Sequence, residues 1–215
     1  MLLYTANNGD YENLADRMQR EPLRKTNVYV NLTNQCTCAC TFCLRNTKEM
    51  RESNSLWLKR EPSAQEVIAE FAKYDMKNFK EIIFCGFGEP TMRLDILIEI
   101  ASYLKQRNKN ISLRINTNGL CDLQAGKEIA PLFQGLIDTV SISLNASTAA
   151  EYLRLTRSKF GIQSFDAMLA FAVSCKKYVP HVVLTVVDCI GETEIIACQS
   201  LADKLGLTLR VRSFE

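Results

Sequence analysis

The chain has 215 residues, enough for one domain with a substantial buried core, and its 47% apolar, 23% charged composition is that of an ordinary soluble globule. A net charge of +2 gives no electrostatic ground for nucleic acid or an anionic membrane as partner. The apolar runs are too short to span a bilayer and the start of the chain lacks a signal-peptide pattern, so cytoplasmic residence is expected.

Residues 1–26 are polar and mixed, with a weak helical pattern over 11–20 that stops before Pro22; they read as an extension lying on a core domain of residues 27–215. Val28-Tyr29-Val30-Asn31-Leu32-Thr33 alternates like a strand and runs into Cys36-Thr37-Cys38-Ala39-Cys40-Thr41-Phe42-Cys43, which holds four of the nine cysteines. An odd count without a secretion pattern argues against a disulfide scaffold and for a metal or iron–sulfur site plus some inert buried thiols. Residues 44–62 are charged and irregular around Leu56-Trp57-Leu58, where the single tryptophan is expected to anchor packing.

After Pro62, Ser63-Ala64-Gln65-Glu66 is a capping-box signature, and Ala64, Val67, Ile68, Phe71 and Ala72 continue it at helical spacing. A buried strand over 81–85 stops at Gly86-Phe87-Gly88-Glu89-Pro90. A helix through Leu94, Leu97, Ala101 and Leu104 leads to the strand 111–115, which ends at Asn116-Thr117-Asn118-Gly119. A helix over 122–133, a strand 140–144 ending at Asn145, helices over 147–156 and 164–177, and a strand 182–187 follow. The last helix stops at Gly206, a C′ glycine, before a final strand 207–212.

Six strands alternating with helices imply α/β architecture with parallel pairing and right-handed crossovers. The count is two units short of a full eight-fold barrel, so a partial (β/α)6 TIM-type barrel or an open doubly wound sheet is expected, with ligand at the carboxyl ends of the strands. The cysteine loop, the glycine-rich turn, the Asn-Thr-Asn-Gly turn and Ser143-Leu144-Asn145 all follow such ends. Three thiols at Cys36, Cys40 and Cys43 are one short of a closed zinc site or a four-cysteine cubane, and Cys38 is awkwardly spaced to join them. Such a set leaves one metal with an open position.

Cys36-x3-Cys40-x2-Cys43 with Phe42 before the last cysteine resembles the radical S-adenosylmethionine (SAM) superfamily motif. Gly86-Phe87-Gly88-Glu89-Pro90 resembles that family's glycine–glutamate–proline motif, and Asn116-Thr117-Asn118-Gly119 is similar to its turn after the third strand. The resemblance implies a [4Fe–4S] cluster on Cys36, Cys40 and Cys43 whose fourth iron binds SAM. It also implies reductive cleavage of SAM to a 5′-deoxyadenosyl radical that abstracts hydrogen from a substrate, with the protein supplying position and water exclusion.

Carried over residue by residue, Gly86, Phe87, Gly88 and Glu89 would receive the SAM amino group by their backbone, with Asn116 nearby. Ser143 and Asn145 would address ribose and carboxylate, Val187 and Ile190 adenine, and Phe42 the adenine side. Phe87 stands where many members have glycine and is expected to protrude into the cavity. Each has a plainer reading: Asn118-Gly119 as a turn, Ser143 and Asn145 as helix caps, Val187 and Ile190 as core. Cys85, Cys121 and Cys189 either face the cavity or are inert, while Cys175 and Cys198 read as helix core. Arg45, Arg114, Arg157, Arg210 and Arg212 are candidates for an anionic substrate. His181 should lie away from the rim.

Leu44-Arg45 stands where 7-carboxy-7-deazaguanine synthases present an aspartate–threonine pair, and the chain closes on its sixth strand without a cysteine-rich extension. The run Tyr29 to Cys36, with Phe42-Cys43-Leu44-Arg45, Leu56-Trp57-Leu58 and Arg210-Val211-Arg212, looks most like small radical SAM proteins associated with TatD-family nucleases. The resemblance implies an electron donor such as flavodoxin or ferredoxin and a functional link to a TatD-family nuclease. A glycyl-radical activase of a partner protein, or a non-catalytic iron–sulfur or zinc-binding regulatory partner, are the alternatives.

Overall fold

The computed structural model describes residues 1–7, 10–22, 24–50 and 55–214. They form two compact units: residues 1–35 with 49–115, and residues 36–48 with 116–215.

In the first unit, β1 (Leu3–Asn7) and β2 (Asp10–Asn13) form an antiparallel hairpin, followed by α1 (Leu14–Arg20). β1 also pairs antiparallel with β3 (Thr26–Val30) through Leu3↔Val30 and Tyr4↔Tyr29. This N-terminal stretch thus contributes two strands to the sheet, and α1 falls within the helical pattern expected over 11–20. Leu3, Tyr4 and Leu14 are buried, and the Tyr4 ring stacks on Tyr29 at 5.1 Å with Tyr11 edge-on at 5.6 Å. Full burial of side chains of this size contributes roughly 1.5–3 kcal/mol each, which is what fixes so short a hairpin.

β3 pairs in parallel with β4 (Phe79–Phe84), and β4 with β5 (Ser112–Thr117), each connection carrying a helix, α3 (Ala64–Phe71) or α4 (Leu94–Arg107). The capping box forms as expected: Ser63 Oγ accepts from Glu66 N at 3.2 Å and Glu66 Oε2 accepts from Ser63 N at 2.8 Å. Ile82, Ile83, Phe84, Leu97, Ile100 and Leu104 are sealed from solvent and form the core of this unit.

The second unit pairs β6 (Thr139–Ser143), β7 (His181–Val187) and β8 (Thr208–Arg212) in parallel. Its helices are α2 (Leu44–Thr47), α5 (Cys121–Ala125), α6 (Ala149–Thr156), α7 (Ser164–Cys175) and α8 (Glu192–Leu205). The single helix expected over 122–133 is broken, because Gly126 closes α5 in the left-handed region at φ 66° and a short 3-10 turn, Ala130–Phe133, restarts at Pro131. Gly206 ends α8 at φ 62°, as the sequence indicates. Among the described residues no helix is long and apolar enough to cross a membrane.

Candidate functional site

The cysteine loop belongs to the second unit. It is sewn along the end of α6: Ala39 N donates to Thr156 O at 2.9 Å, Thr41 N to Leu155 O at 2.9 Å, and Lys159 N to Thr37 O at 3.0 Å. The last carbonyls of a helix have no partner within it, so α6 offers acceptors that hold the loop open without a strand. Cys36, Cys40 and Cys43 form no disulfide and are half-buried, whereas Cys38 is buried. Cys38 hydrogen-bonds to Cys36, which draws its thiol pKa down, and to Cys40, which together with burial takes it the other way, to about 12.

Among the described residues no three His, Cys, Asp or Glu side chains gather round one point as a mononuclear metal requires. Thiolates of a cubane each bind a different iron and need no such convergence.

Two neighbours turn donors toward these sulfurs. Arg45 Nε lies 3.3 Å from Cys43 Sγ, and its Nη2 donates to Cys38 O at 3.4 Å. Asn118 Nδ2 donates to Thr37 Oγ1 at 2.9 Å, with Cys36 Sγ at 3.8 Å and Cys38 Sγ at 3.7 Å; Cys38 N also lies 3.4 Å from Cys36 Sγ. The turn that carries Asn118 is tightly built. Gly119 N donates to Thr117 Oγ1 and Leu120 N to Asn118 Oδ1, both at 3.0 Å. Gly119 sits at φ 74°, where a Cβ would come 2.9 Å from both Ile142 and Met168. Sequence reasoning marked Asn116 as the polar contact and left Asn118 to the turn. The sole signal for Asn118 was its place in the motif.

Asn116 and Asn145 each present a buried side-chain Oδ1 without a hydrogen-bond partner. Asn145 follows β6 with φ 60°, unusual for a residue with a side chain, and its N–H donates to Thr185 O at 3.4 Å. Neither it nor Ser143 caps the next helix; Thr148 does, accepting from Glu151 N at 3.4 Å. Val187 is buried at the end of β7, while Ile190 is half-exposed. A cleft of about 260 Å³ is lined by Phe42 and Ile190 on its apolar side, with the charged Glu151 and Arg154 also on its wall. That is below the roughly 300–1,000 Å³ of whole small-molecule pockets, and suits a flat portion of a larger ligand.

The glycine-rich turn lies in the first unit, after β4. Gly88 N donates to Thr33 O at 3.0 Å and Glu89 N to Gln35 O at 2.8 Å. A Cβ on Gly88 would come 2.4 Å from Thr33 O and 2.6 Å from Gln35 O, so only glycine lets the two backbones meet. A Cβ on Gly86 would strike the Asn31 amide at 2.1 Å, an amide that donates to Met1 O at 3.2 Å and Leu56 O at 2.5 Å. The Thr33–Gln35 stretch is braced by Glu61, which accepts from Thr33 Oγ1, from Gln35 Nε2 at 2.9 Å and from Arg93 Nη1 at 2.8 Å. Glu89 is buried, and its Oε1 accepts from Thr91 N at 3.1 Å and Thr91 Oγ1 at 2.8 Å.

Phe87 does not protrude. Its ring is 8% exposed and meets Trp57 edge-on at 5.1 Å, so Trp57 anchors packing as expected while its other side, half-exposed, faces solvent. Of the arginines set aside for an anion, Arg114 pairs with Glu81 at 2.7 Å, Arg210 donates to Ser141 Oγ at 3.2 Å, and Arg157 closes α6 in the left-handed region. Cys175 and Cys198 are core, as expected, each pushed up to about 12 by burial and nearby carboxylates. Cys121 is buried, Cys85 half-buried and Cys189 exposed on the cleft. His181 is exposed at the amino end of β7.

The fold itself has known counterparts. A radical SAM methyltransferase from Sphaerobacter thermophilus superposes with a TM-score of 0.62 over 99% of this chain and 65% of its own, at 14% identity. Native anSMEcpe with bound AdoMet superposes with a TM-score of 0.63 over 87% of this chain and 50% of its own, at 16% identity. The architecture is thus a mixed α/β partial barrel with mainly parallel strands, the two N-terminal strands being antiparallel additions.

Residues 30–195 match the Radical SAM superfamily profile, and the chain belongs to that superfamily. Membership of that superfamily implies a [4Fe–4S] cluster and SAM as cofactors. A curated relative, the probable GTP 3′,8-cyclase of Thermococcus kodakarensis, is 30% identical over 193 residues, 88% of this chain. The chain spans 57% of that relative's length. These comparisons lend no support to the TatD association.

Proposed function

We propose that this chain is the core of a radical SAM enzyme in which Cys36, Cys40 and Cys43 hold the cluster and the chain's motif residues hold SAM for hydrogen abstraction from a substrate. The observation that carries the reading is the pair of buried, partnerless amide oxygens on Asn116 and Asn145, since an unsatisfied buried acceptor is costly and implies a donor in the working state. An amino acid ammonium and ribose hydroxyls are such donors. When bound, the cluster and SAM supply the reductive chemistry that generates a 5′-deoxyadenosyl radical.

The chain's own residues divide the remaining work. Three half-buried cysteines outside any disulfide give soft ligands of the kind iron–sulfur clusters require. In the glycine-rich turn, the N–H groups of Gly88 and Glu89 are already committed to Thr33 and Gln35, so the turn offers carbonyl acceptors, which suits the SAM ammonium. Ser143 lies at the end of β6 beside Asn145 for ribose and carboxylate, and Phe42, Val187 and Ile190 supply apolar surface for adenine.

The substrate reading rests on the GTP 3′,8-cyclase relative: a purine nucleotide is the first candidate. An electron donor of the flavodoxin or ferredoxin class and cytoplasmic residence, where thiols stay reduced, complete the proposal. A tie to a TatD-family nuclease rests on the sequence resemblance alone.

The test is an anaerobic incubation of the reconstituted protein with SAM, dithionite and GTP, followed by mass spectrometry. A nucleotide product formed in step with 5′-deoxyadenosine supports a purine substrate. SAM cleavage without any change to GTP would remove the purine reading while leaving the radical chemistry standing.

A further inference from the structure

We infer that Arg45 is a positioning residue for the cluster that also sets its reduction potential, holding a fixed positive charge against the Cys43 ligand sulfur. This rests on the cluster assignment proposed above. The guanidinium makes two contacts with the loop at once: Nε to Cys43 Sγ at 3.3 Å and Nη2 to Cys38 O at 3.4 Å. Being planar, it can span sulfur and carbonyl with separate nitrogens, which an ammonium cannot do. The contact is local in sequence, because Arg45 lies in α2, whose first turn follows Cys43 directly, and Asn46 N and Thr47 N fasten that turn to Cys43 O at 2.8 and 3.2 Å.

The physical consequence concerns the electron. Reducing the cluster adds one negative charge and changes no covalent bond, so a cation fixed beside one ligand sulfur favours the reduced state. A hydrogen bond to that sulfur acts in the same direction, and net charge and such bonds are what tune these potentials. The interaction is half-buried, with Arg45 and Cys43 both of intermediate exposure, so salt screens it less than it would a surface pair. The donor from Asn118 near Cys36 is neutral, so of these two donors Arg45 is the one that brings charge.

The test uses the full chain reconstituted with iron and sulfide, without SAM, titrated with dithionite and followed by EPR. Iron content is measured on the same samples. Arg45→Gln and Arg45→Met are expected to hold wild-type iron and to reduce less readily by about tenfold in the equilibrium, about 59 mV more negative for one electron. Arg45→Lys, which keeps the charge, should lose less than half of that shift. If Arg45→Gln fails to load, Arg45→Met, which preserves the packing of the stem, decides. Neutral variants with wild-type potential overturn the inference, and so does a lysine variant that falls as far as glutamine. Wild-type protein that takes up no iron overturns the cluster assignment itself, and this inference with it.

Discussion

Substituting Gly88 by alanine isolates what the glycine-rich turn requires. Gly88 is not in the left-handed region, so backbone conformation alone would make alanine welcome, and the reduced freedom of the unfolded chain would stabilise the protein by ~0.4–1 kcal/mol. The structure predicts the opposite sign. A Cβ 2.4 and 2.6 Å from two carbonyl oxygens cannot be accommodated by small shifts, so the Gly88–Thr33 and Glu89–Gln35 hydrogen bonds must open. Two such bonds are worth ~1–3 kcal/mol together. Taken at the midpoints of these ranges, the net loss is ~1.3 kcal/mol, or roughly 3–5 °C in Tm for a chain of this size. Calorimetry of the wild type and Gly88→Ala reads the shift directly, and isothermal titration with SAM should show a weaker Kd while iron content stays near wild type. A Tm equal to or above wild type would show that the close approach of the two backbones is wrong.

Other expected outcomes are as concrete. Cys40→Ala should abolish cluster binding while Cys38→Ala keeps most of its iron, measured by iron content after anaerobic reconstitution; equal loss in both would mean the ligand set is wrong. At Asn145, with φ 60°, glycine should be near neutral for stability and alanine should cost ~1–2 kcal/mol in denaturant unfolding, yet both should weaken SAM binding because both lose the orphaned oxygen. If Asn145→Gly binds SAM as wild type does, that oxygen has no part in the site.

Thiol labelling offers a pH test. Cys175 and Cys198, pushed up to about 12, hold roughly one part in ten thousand as thiolate at pH 8 and should resist iodoacetamide in the native state. Cys189 is exposed and should label, its rate still rising with pH above the usual thiol range because burial and Asp188 raise its pKa. Peptide mapping after a short pulse separates the three sites, and fast native labelling of Cys175 would contradict its place in the core.

The parallel strands were legible because each is a short buried run bounded by a turn signal: Glu81 to Phe84 stops at two glycines, and Val182 to Val187 is followed by Gly191. The N-terminal hairpin was not, because Asp10–Asn13 is polar and its pairing is decided by Tyr4 and Leu3 meeting residues some twenty-five positions on. The cysteine loop and glycine-rich turn were legible through their resemblance to the radical SAM motifs. What no local pattern could convey is who holds them. Thr156 and Leu155 fasten the loop from more than a hundred residues away, and Glu61 braces the Thr33–Gln35 stretch under Gly88. Phe87 looked free to protrude because its partner, Trp57, sits thirty residues earlier in an irregular stretch. Such pairings arise from tertiary packing and leave no periodic trace.

The measurement that bears most directly on this account is anaerobic reconstitution of the full chain with iron and sulfide, then SAM and dithionite, with iron content and 5′-deoxyadenosine read on the same sample. About four irons per chain and 5′-deoxyadenosine release that disappears in Cys40→Ala are predicted. Protein that binds zinc in place of the cluster and leaves SAM intact would contradict it.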